Sequence, residues 1–361
     1  MIISLEKILT LIIPSYNMEK YLDRCLSSLI IDEKHMKAFE ALVINDGSKD
    51  RTSEIAHLYE TKYPETFRCI DKENGHYGSC VNRGLDEAKG IFVKILDADD
   101  SLDSTVFREY LDFLSDKDVL SSADAVLSDY IQVDDNLALL SEHKYDSYDS
   151  PISLGQVSIE DRCRWFIHGL TYRTENLRIM NHRQTEGIAY TDIEWCYYPS
   201  LSITRIFRFE GFLYRYTKQR EGQSVQPSIQ GRNIEMEISV TETMLSRTPE
   251  LIKHASPEQI SFMNDHLSIQ VSHIYQLCLL TLHRYIPEYS RLKQFDIILK
   301  ESAPGLYDKM DNYRTCIAGI AFKPVRYWRG NRIIRLKAIQ SLYSLADWKN
   351  NLLNRHRVAS N

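Results

Sequence analysis

This 361-residue sequence has no CxxC pair, no apolar run of membrane-spanning length and no excess of positive charge. Its seven cysteines (25, 69, 80, 163, 196, 278 and 316) are odd in number and scattered. That spacing suggests neither a disulfide framework nor a zinc site, and it favours a reducing cytosol. The apolar stretch at 277–282 is far shorter than the ~20 residues that a spanning helix needs. The opening MIISLEKILTLIIPSYN is interrupted by Glu6 and Lys7 and has no basic leader, so a strand is expected there rather than a signal peptide. A net charge of -6 argues against nucleic acid as the partner.

What remains is an ordinary folded composition, 43% hydrophobic and 26% charged, in a chain long enough for two domains. The first 135 residues alternate strand and helix signals. Strands are expected at 9–13, 41–44, 68–71 and 91–96, with helices after each, the first of them capped by Asn17 and the one after the fourth strand by Asp103. Such repeats imply an α/β fold with a mostly parallel sheet sandwiched by helices. In these sheets ligands bind beyond the carboxyl ends of the strands. The exit turns here read PSYN, NDGS and DADD. Residues 136–157 read as a long loop. From 231 onward the spacing is helical, as in Ile260, Met263, Leu267, Val271, Ile274 and Cys278. The chain therefore divides into a catalytic domain, 1–230, and a helical C-terminal domain, 231–361.

Asp97, Asp99 and Asp100 crowd one strand exit. Adjacent carboxylates oppose one another's ionisation unless a cation offsets them. Hard divalent ions such as Mg²⁺ favour a few carboxylates plus phosphate oxygens. Alone, DxD is a weak signal whose bland reading is a solvated turn. In order, however, the chain carries IIPSYN, VINDGSKDRT, ENGHYGSCVNRGL and KILDADDSLD, then EGIAYTDIEW and QREGQSV. This series closely resembles glycosyltransferase family 2, the inverting enzymes of the GT-A nucleotide-diphospho-sugar fold.

The resemblance implies the following roles. Pro14 and Tyr16 shape a nucleobase pocket, and Asp46 accepts a ring N–H of the base. Asp97 faces the ribose or donor sugar and, with Asp99, binds Mn²⁺ or Mg²⁺. Asn82 belongs to the third motif, where Val81 replaces the usual Arg. Asp192 is the general base and Glu194 its reserve, since inverting transfer needs a carboxylate on the acceptor side. Trp195 is a candidate sugar platform with an equally good core role. Arg220 and Ser224 grip the diphosphate. The expected donor is a UDP-sugar, and the expected acceptor a glycan, lipid-linked or glycoprotein hydroxyl.

Lys323, Arg326, Arg329, Arg332, Arg335 and Lys337 make 323–337 a candidate for peripheral contact with an anionic inner membrane face. The helical domain is a candidate homodimer surface. A nucleotidyltransferase is the competing enzyme class, but it would open on a Gly-rich loop, and PSYNMEKY is not one. A catalytically inactive nucleotide-sugar-binding scaffold is the non-enzymatic alternative.

Overall fold

The computed structural model describes residues 7–218, 226–285, 289–317, 319–332 and 334–345. Contacts divide the chain into two units, Met1–Glu221 with Ala255–Met263, and Gly222–His254 with Asn264–Asn361. The boundary expected at 230 falls inside a helix that begins at Pro227.

In the first unit, β1 (Leu9–Ser15), α1 (Leu22–Ser27), α2 (Glu33–Ala38), β2 (Phe39–Asn45), α3 (Thr52–Lys62), β3 (Phe67–Asp71), α4 (His76–Glu87) and β4 (Phe92–Ile95) form the leading half. There follow β5 (Ser101–Leu102), α5 (Ser104–Leu114), α6 (Lys117–Ser122), β6 (Ala125–Val133), β7 (Leu139–His143) and α7 (Ile159–Cys163). Next come β8 (Leu170–Arg173), α8 (Thr174–Ile179), α9 (Asp192–Tyr197) and β9 (Ile206–Thr217). One sheet orders its strands β3-β2-β1-β4-β8-β6-β9-β5, with β7 pairing β6. The ladders among β1 to β4 are parallel, while β8 runs antiparallel to β4 and β6. The sheet is thus parallel in its first half and mixed beyond. The stretch at 136–157, expected as loop, contributes β7.

Every residue of β1 and β2 is buried, as expected for central strands covered on both faces. Alternate side chains face opposite ways. Leu9, Leu11, Ile13, Ala41 and Val43 enter one core, and Ile12, Leu42, Ile44, Val93 and Ile95 the other. Pro14 is tolerated in a central strand because the β1–β4 ladder ends at Ile12↔Ile95, so its missing N–H falls beyond the last rung.

The second unit comprises α10 (Pro227–Leu251), most of α11 (Pro257–Gln276), α12 (Ser290–Ser302), α13 (Pro304–Met310), a β10–β11 hairpin (Thr315–Ile317, Ile320–Phe322) and α14 (Pro324–Arg329). Among its described residues it is mainly helical, as its spacing implies, with that hairpin added. Arg291 on α12 meets Glu242 on α10 in a two-pronged ion pair at 2.6 and 2.7 Å. None of the described helices is long and apolar enough to cross a membrane.

Candidate active site

The tips of β1, β2 and β4 end on one edge of the sheet, and each opens into a polar turn. Asn17, expected as a helix cap, instead sits at φ 54 and joins two of these turns. Its backbone N–H donates to Ser48 Oγ at 2.9 Å, and its Oδ1 accepts the Lys49 N–H at 2.8 Å. The Asp46 N–H donates to Ser15 O at 2.8 Å. Gly47 follows at φ 70, a left-handed conformation that other residues rarely adopt.

Asp46 is 3% exposed, and its Oδ1 accepts from Lys72 Nζ at 2.7 Å and from the Gly75 N–H at 2.9 Å. Lys72 also donates to Ser79 Oγ at 2.9 Å and to Glu73 O at 2.5 Å. Beside this pair lies an open depression of about 500 Å³ lined by Tyr16, Gly47, Lys49, Asp71, Lys72, Glu73 and Asn74. Tyr16 is 47% exposed there, so its ring faces outward rather than into the core. Lys72 is a site residue that sequence reasoning missed. Its contact comes from pairing β3 with β2, which no local motif encodes.

The DADD turn is held from several directions. Tyr77, on the first turn of α4, donates to Asp97 Oδ1 at 2.8 Å. The Asp97 N–H donates to the Tyr214 hydroxyl at 3.1 Å, and that hydroxyl donates to Asp100 Oδ2 at 2.7 Å. The other oxygen of Asp100 accepts the Thr217 N–H at 2.7 Å. Arg24 on α1 donates to the Asp99 carbonyl at 3.0 Å and to Thr217 Oγ1 at 3.3 Å. Burial, with the charges of Asp99 and Asp97, pushes the Asp100 carboxyl well above the usual carboxylate range. A divalent cation would reverse that penalty.

Carboxylate oxygens of Asp97 and Asp100 and a ring nitrogen of His168 lie within 4.8 Å of one another. Asp99, 8% exposed, adjoins this group without being one of its three members. His168 Nδ1 is buried with no hydrogen-bond partner. Burial, aided by Lys94, Lys218 and His143, lowers the His168 pKa to about 3, so its imidazole is neutral and ready to ligate. A neutral imidazole with a ring nitrogen close to two carboxylates fits a divalent metal. Nothing in the local sequence WFIHG marks His168, which reaches the turn through the β8 ladder. Beneath it, Lys94 is fully buried and donates to the His168 and Leu170 carbonyls at 2.7 and 3.2 Å.

Asp192 is exposed at the first position of α9. Burial and the charges of Asp97 and then Asp192 raise the Tyr77 hydroxyl well above its ordinary value, so both carboxylates are near enough to act on that hydroxyl. Glu194 differs. It is fully buried, and it accepts from the Thr185 N–H at 2.6 Å and the Thr185 hydroxyl at 2.9 Å, a structural placement. Trp195 is fully buried in the core, not poised as a sugar platform.

Asn82 donates to Gln184 O at 3.0 Å and Glu186 Oε1 at 2.8 Å, and it accepts the Gln184 N–H at 2.9 Å. Those bonds fasten α4 to residues 184–186. Gly78 allows that approach, since a Cβ there would stand 2.1 Å from the Thr185 carbonyl oxygen. Arg220 and Ser224 lie outside the described residues.

A sheet whose strand tips gather aspartates and a neutral histidine beside an open, tyrosine-walled depression defines a ligand-binding α/β domain of the doubly wound kind. Residues 10–155 match the family model described as Glycosyl transferase family 2, so this segment is similar to a glycosyltransferase family 2 domain. It is 35% identical over 101 residues to an uncharacterized glycosyltransferase of Mycoplasma pneumoniae, covering 27% of this chain and 33% of that one. It is 31% identical over 107 residues to the poly(ribitol-phosphate) beta-N-acetylglucosaminyltransferase TarS of Staphylococcus aureus, covering 30% and 19%. The matched segments thus span about a third or less of these relatives' own length. The crystal structure of S. aureus TarS 1-349 in complex with UDP-GlcNAc aligns with TM-score 0.50 and 17% identity over 87% of this chain and 95% of that one, which identifies the fold as GT-A-like.

Proposed function

We propose that this chain is a metal-dependent inverting glycosyltransferase. It would move a sugar from a UDP-sugar to a hydroxyl of a glycan, lipid-linked or protein-linked acceptor, in surface polysaccharide or glycoprotein assembly. The observation that carries this reading is the convergence of Asp97, Asp100 and a ring nitrogen of His168 within 4.8 Å of one another at the strand tips.

Those three residues, with Asp99 adjoining, would hold a divalent ion, which would offset the charge of the departing nucleoside diphosphate. The imidazole donor favours Mn²⁺ over Mg²⁺, which prefers oxygen ligands. The base lies in the depression against Tyr16, with the Pro14 turn at its edge. Asp46 supplies an acceptor, which Lys72 holds in place. A carboxylate acceptor reads a ring N–H, as uracil presents, and disfavours the bare ring nitrogen of cytosine. Asn82 contributes by holding α4. Arg220 and Ser224, through their family resemblance, complete the diphosphate contacts. Asp192 takes the proton from the acceptor hydroxyl. The UDP-GlcNAc held by TarS supports UDP as the nucleotide.

A panel of nucleotide-sugars assayed for Mn²⁺-dependent transfer or hydrolysis tests this reading. A UDP-sugar should be consumed, and Asp192→Asn should remove ~10²–10⁴-fold of the rate while UDP affinity holds. Wild-type turnover in Asp192→Asn would remove the base assignment.

In the second unit, Arg326, Arg332, Arg335 and Lys337 are exposed, beside Ile334 at 87% exposure. These support peripheral contact with an anionic membrane. Arg329 serves the unit itself, pairing with Asp296 at 2.6 Å and Asp311 at 2.9 Å. Co-sedimentation of the full chain with anionic but not neutral vesicles is the expected outcome. Equal recovery with both would exclude this contact.

A further inference from the structure

A second group of ligand-bearing side chains stands apart from the DADD turn, on the outer strand β3 and helix α3. A ring nitrogen of His57, Cys69 Sγ and a carboxylate oxygen of Asp71 lie within 4.8 Å of one another. His57 Nε2 is 2.9 Å from Asp71 Oδ2, and Cys69 Sγ is 4.0 Å from Asp71 Oδ1. With Zn–N and Zn–O near 2.0 Å and Zn–S near 2.3 Å, a tetrahedral ion separates its ligands by about 3.3–3.5 Å. The observed spacings bracket those values, so small side-chain adjustments would close them on one ion.

The surroundings match a zinc shell. With Nε2 directed at the cluster, His57 Nδ1 lies 2.8 Å from Glu60 Oε2, the outer carboxylate that commonly orients a ligating imidazole. Asp71 Oδ1 is held by Asn45 Nδ2 at 2.7 Å and Ser53 Oγ at 2.8 Å. His57 and Asp71 are exposed, which gives an ion an entry path and leaves room for a water as fourth ligand.

We propose that His57, Cys69 and Asp71 form a second, thiol-containing site for a borderline divalent cation, Zn²⁺ in the first instance. Nitrogen, sulfur and oxygen donors together suit Zn²⁺ better than Mg²⁺. Burial, together with the Asp71 and Glu60 charges, pushes the Cys69 thiol up to about 12, so uptake must release its proton. Asp71 also lines the depression beside Tyr16 and Lys72, so occupancy would be felt at that pocket's wall. The site escapes sequence inspection because its ligands come from a helix and a strand rather than a CxxC spacing.

The test is Zn²⁺ titration against a chromophoric chelator, with the full chain in excess Mg²⁺. Asp97→Asn serves as the control that removes the other candidate site. One equivalent should remain in Asp97→Asn and weaken at least ~10-fold in His57→Ala and in Cys69→Ser. Co²⁺ should give a thiolate charge-transfer band that Cys69→Ser abolishes. Unchanged Zn²⁺ affinity in both variants, or no such band in the wild type, would overturn the proposal. Neither result depends on sugar transfer.

Discussion

The Tyr77 hydroxyl and the Asp97 carboxylate are joined by a 2.8 Å hydrogen bond that ties the first turn of α4 to the tip of β4. A hydrogen bond to a charged group contributes about 1.5–3 kcal/mol. Tyr77→Phe should therefore lower kcat/KM for transfer by ~10- to 100-fold, with the fold intact by circular dichroism. A variant with wild-type kcat/KM would mean that Asp97 needs no such anchor.

Lys72 and Asp46 make a donor–acceptor pair at 2.7 Å beside the tyrosine-walled depression. Lys72→Met leaves the acceptor and removes the cation that holds it in place. Competition binding should show UDP weakening by about tenfold while CDP, poorly accepted by the wild type, changes little. Parallel loss for both nucleotides would show that Lys72 does not act through Asp46 on the base.

Burial lowers the Lys94 pKa from 10.5 to about 7. Between those values the unfolded chain binds more protons than the folded one, so stability contributed at this position rises with pH. The slope is at most about 1.4 kcal/mol per pH unit. Denaturant midpoints measured from pH 7 to 10 should climb in the wild type relative to Lys94→Met. Parallel curves would show that Lys94 does not titrate there.

Arg208 and Asp129 form an ion pair with side-chain exposures of 1% and 3%. Removing one partner of such a pair strands a buried charge and typically costs about 3–5 kcal/mol. Arg208→Met should lower the unfolding free energy by that amount in urea. A loss under about 1 kcal/mol would mean that water reaches Asp129.

The strand tips were legible because buried runs such as LTLII and ALVI stop abruptly at polar turns, which is a local signal. Asp103 as a cap was legible too, and it accepts the Thr105 and Val106 N–H groups. Asn17 looked like the same device, but the pull of Ser48 and Lys49 across the edge placed it left-handed instead. His168, Lys72 and Tyr214 were illegible, since each reaches its partner across strands whose pairing no local spacing records. Glu194 and Asp192 are two residues apart on one short helix, yet Glu194 is fully buried and Asp192 is exposed. Burial, not residue type, separates their candidate roles.

The most direct measurement is an anomalous-scattering map from a crystal soaked with UDP and Mn²⁺. One manganese peak should lie in ligand range of Asp97, Asp100 and His168, with diphosphate oxygens completing the shell and the base against Tyr16. Nucleotide bound in that crystal with no manganese at the β4 tip would contradict the metal-assisted mechanism.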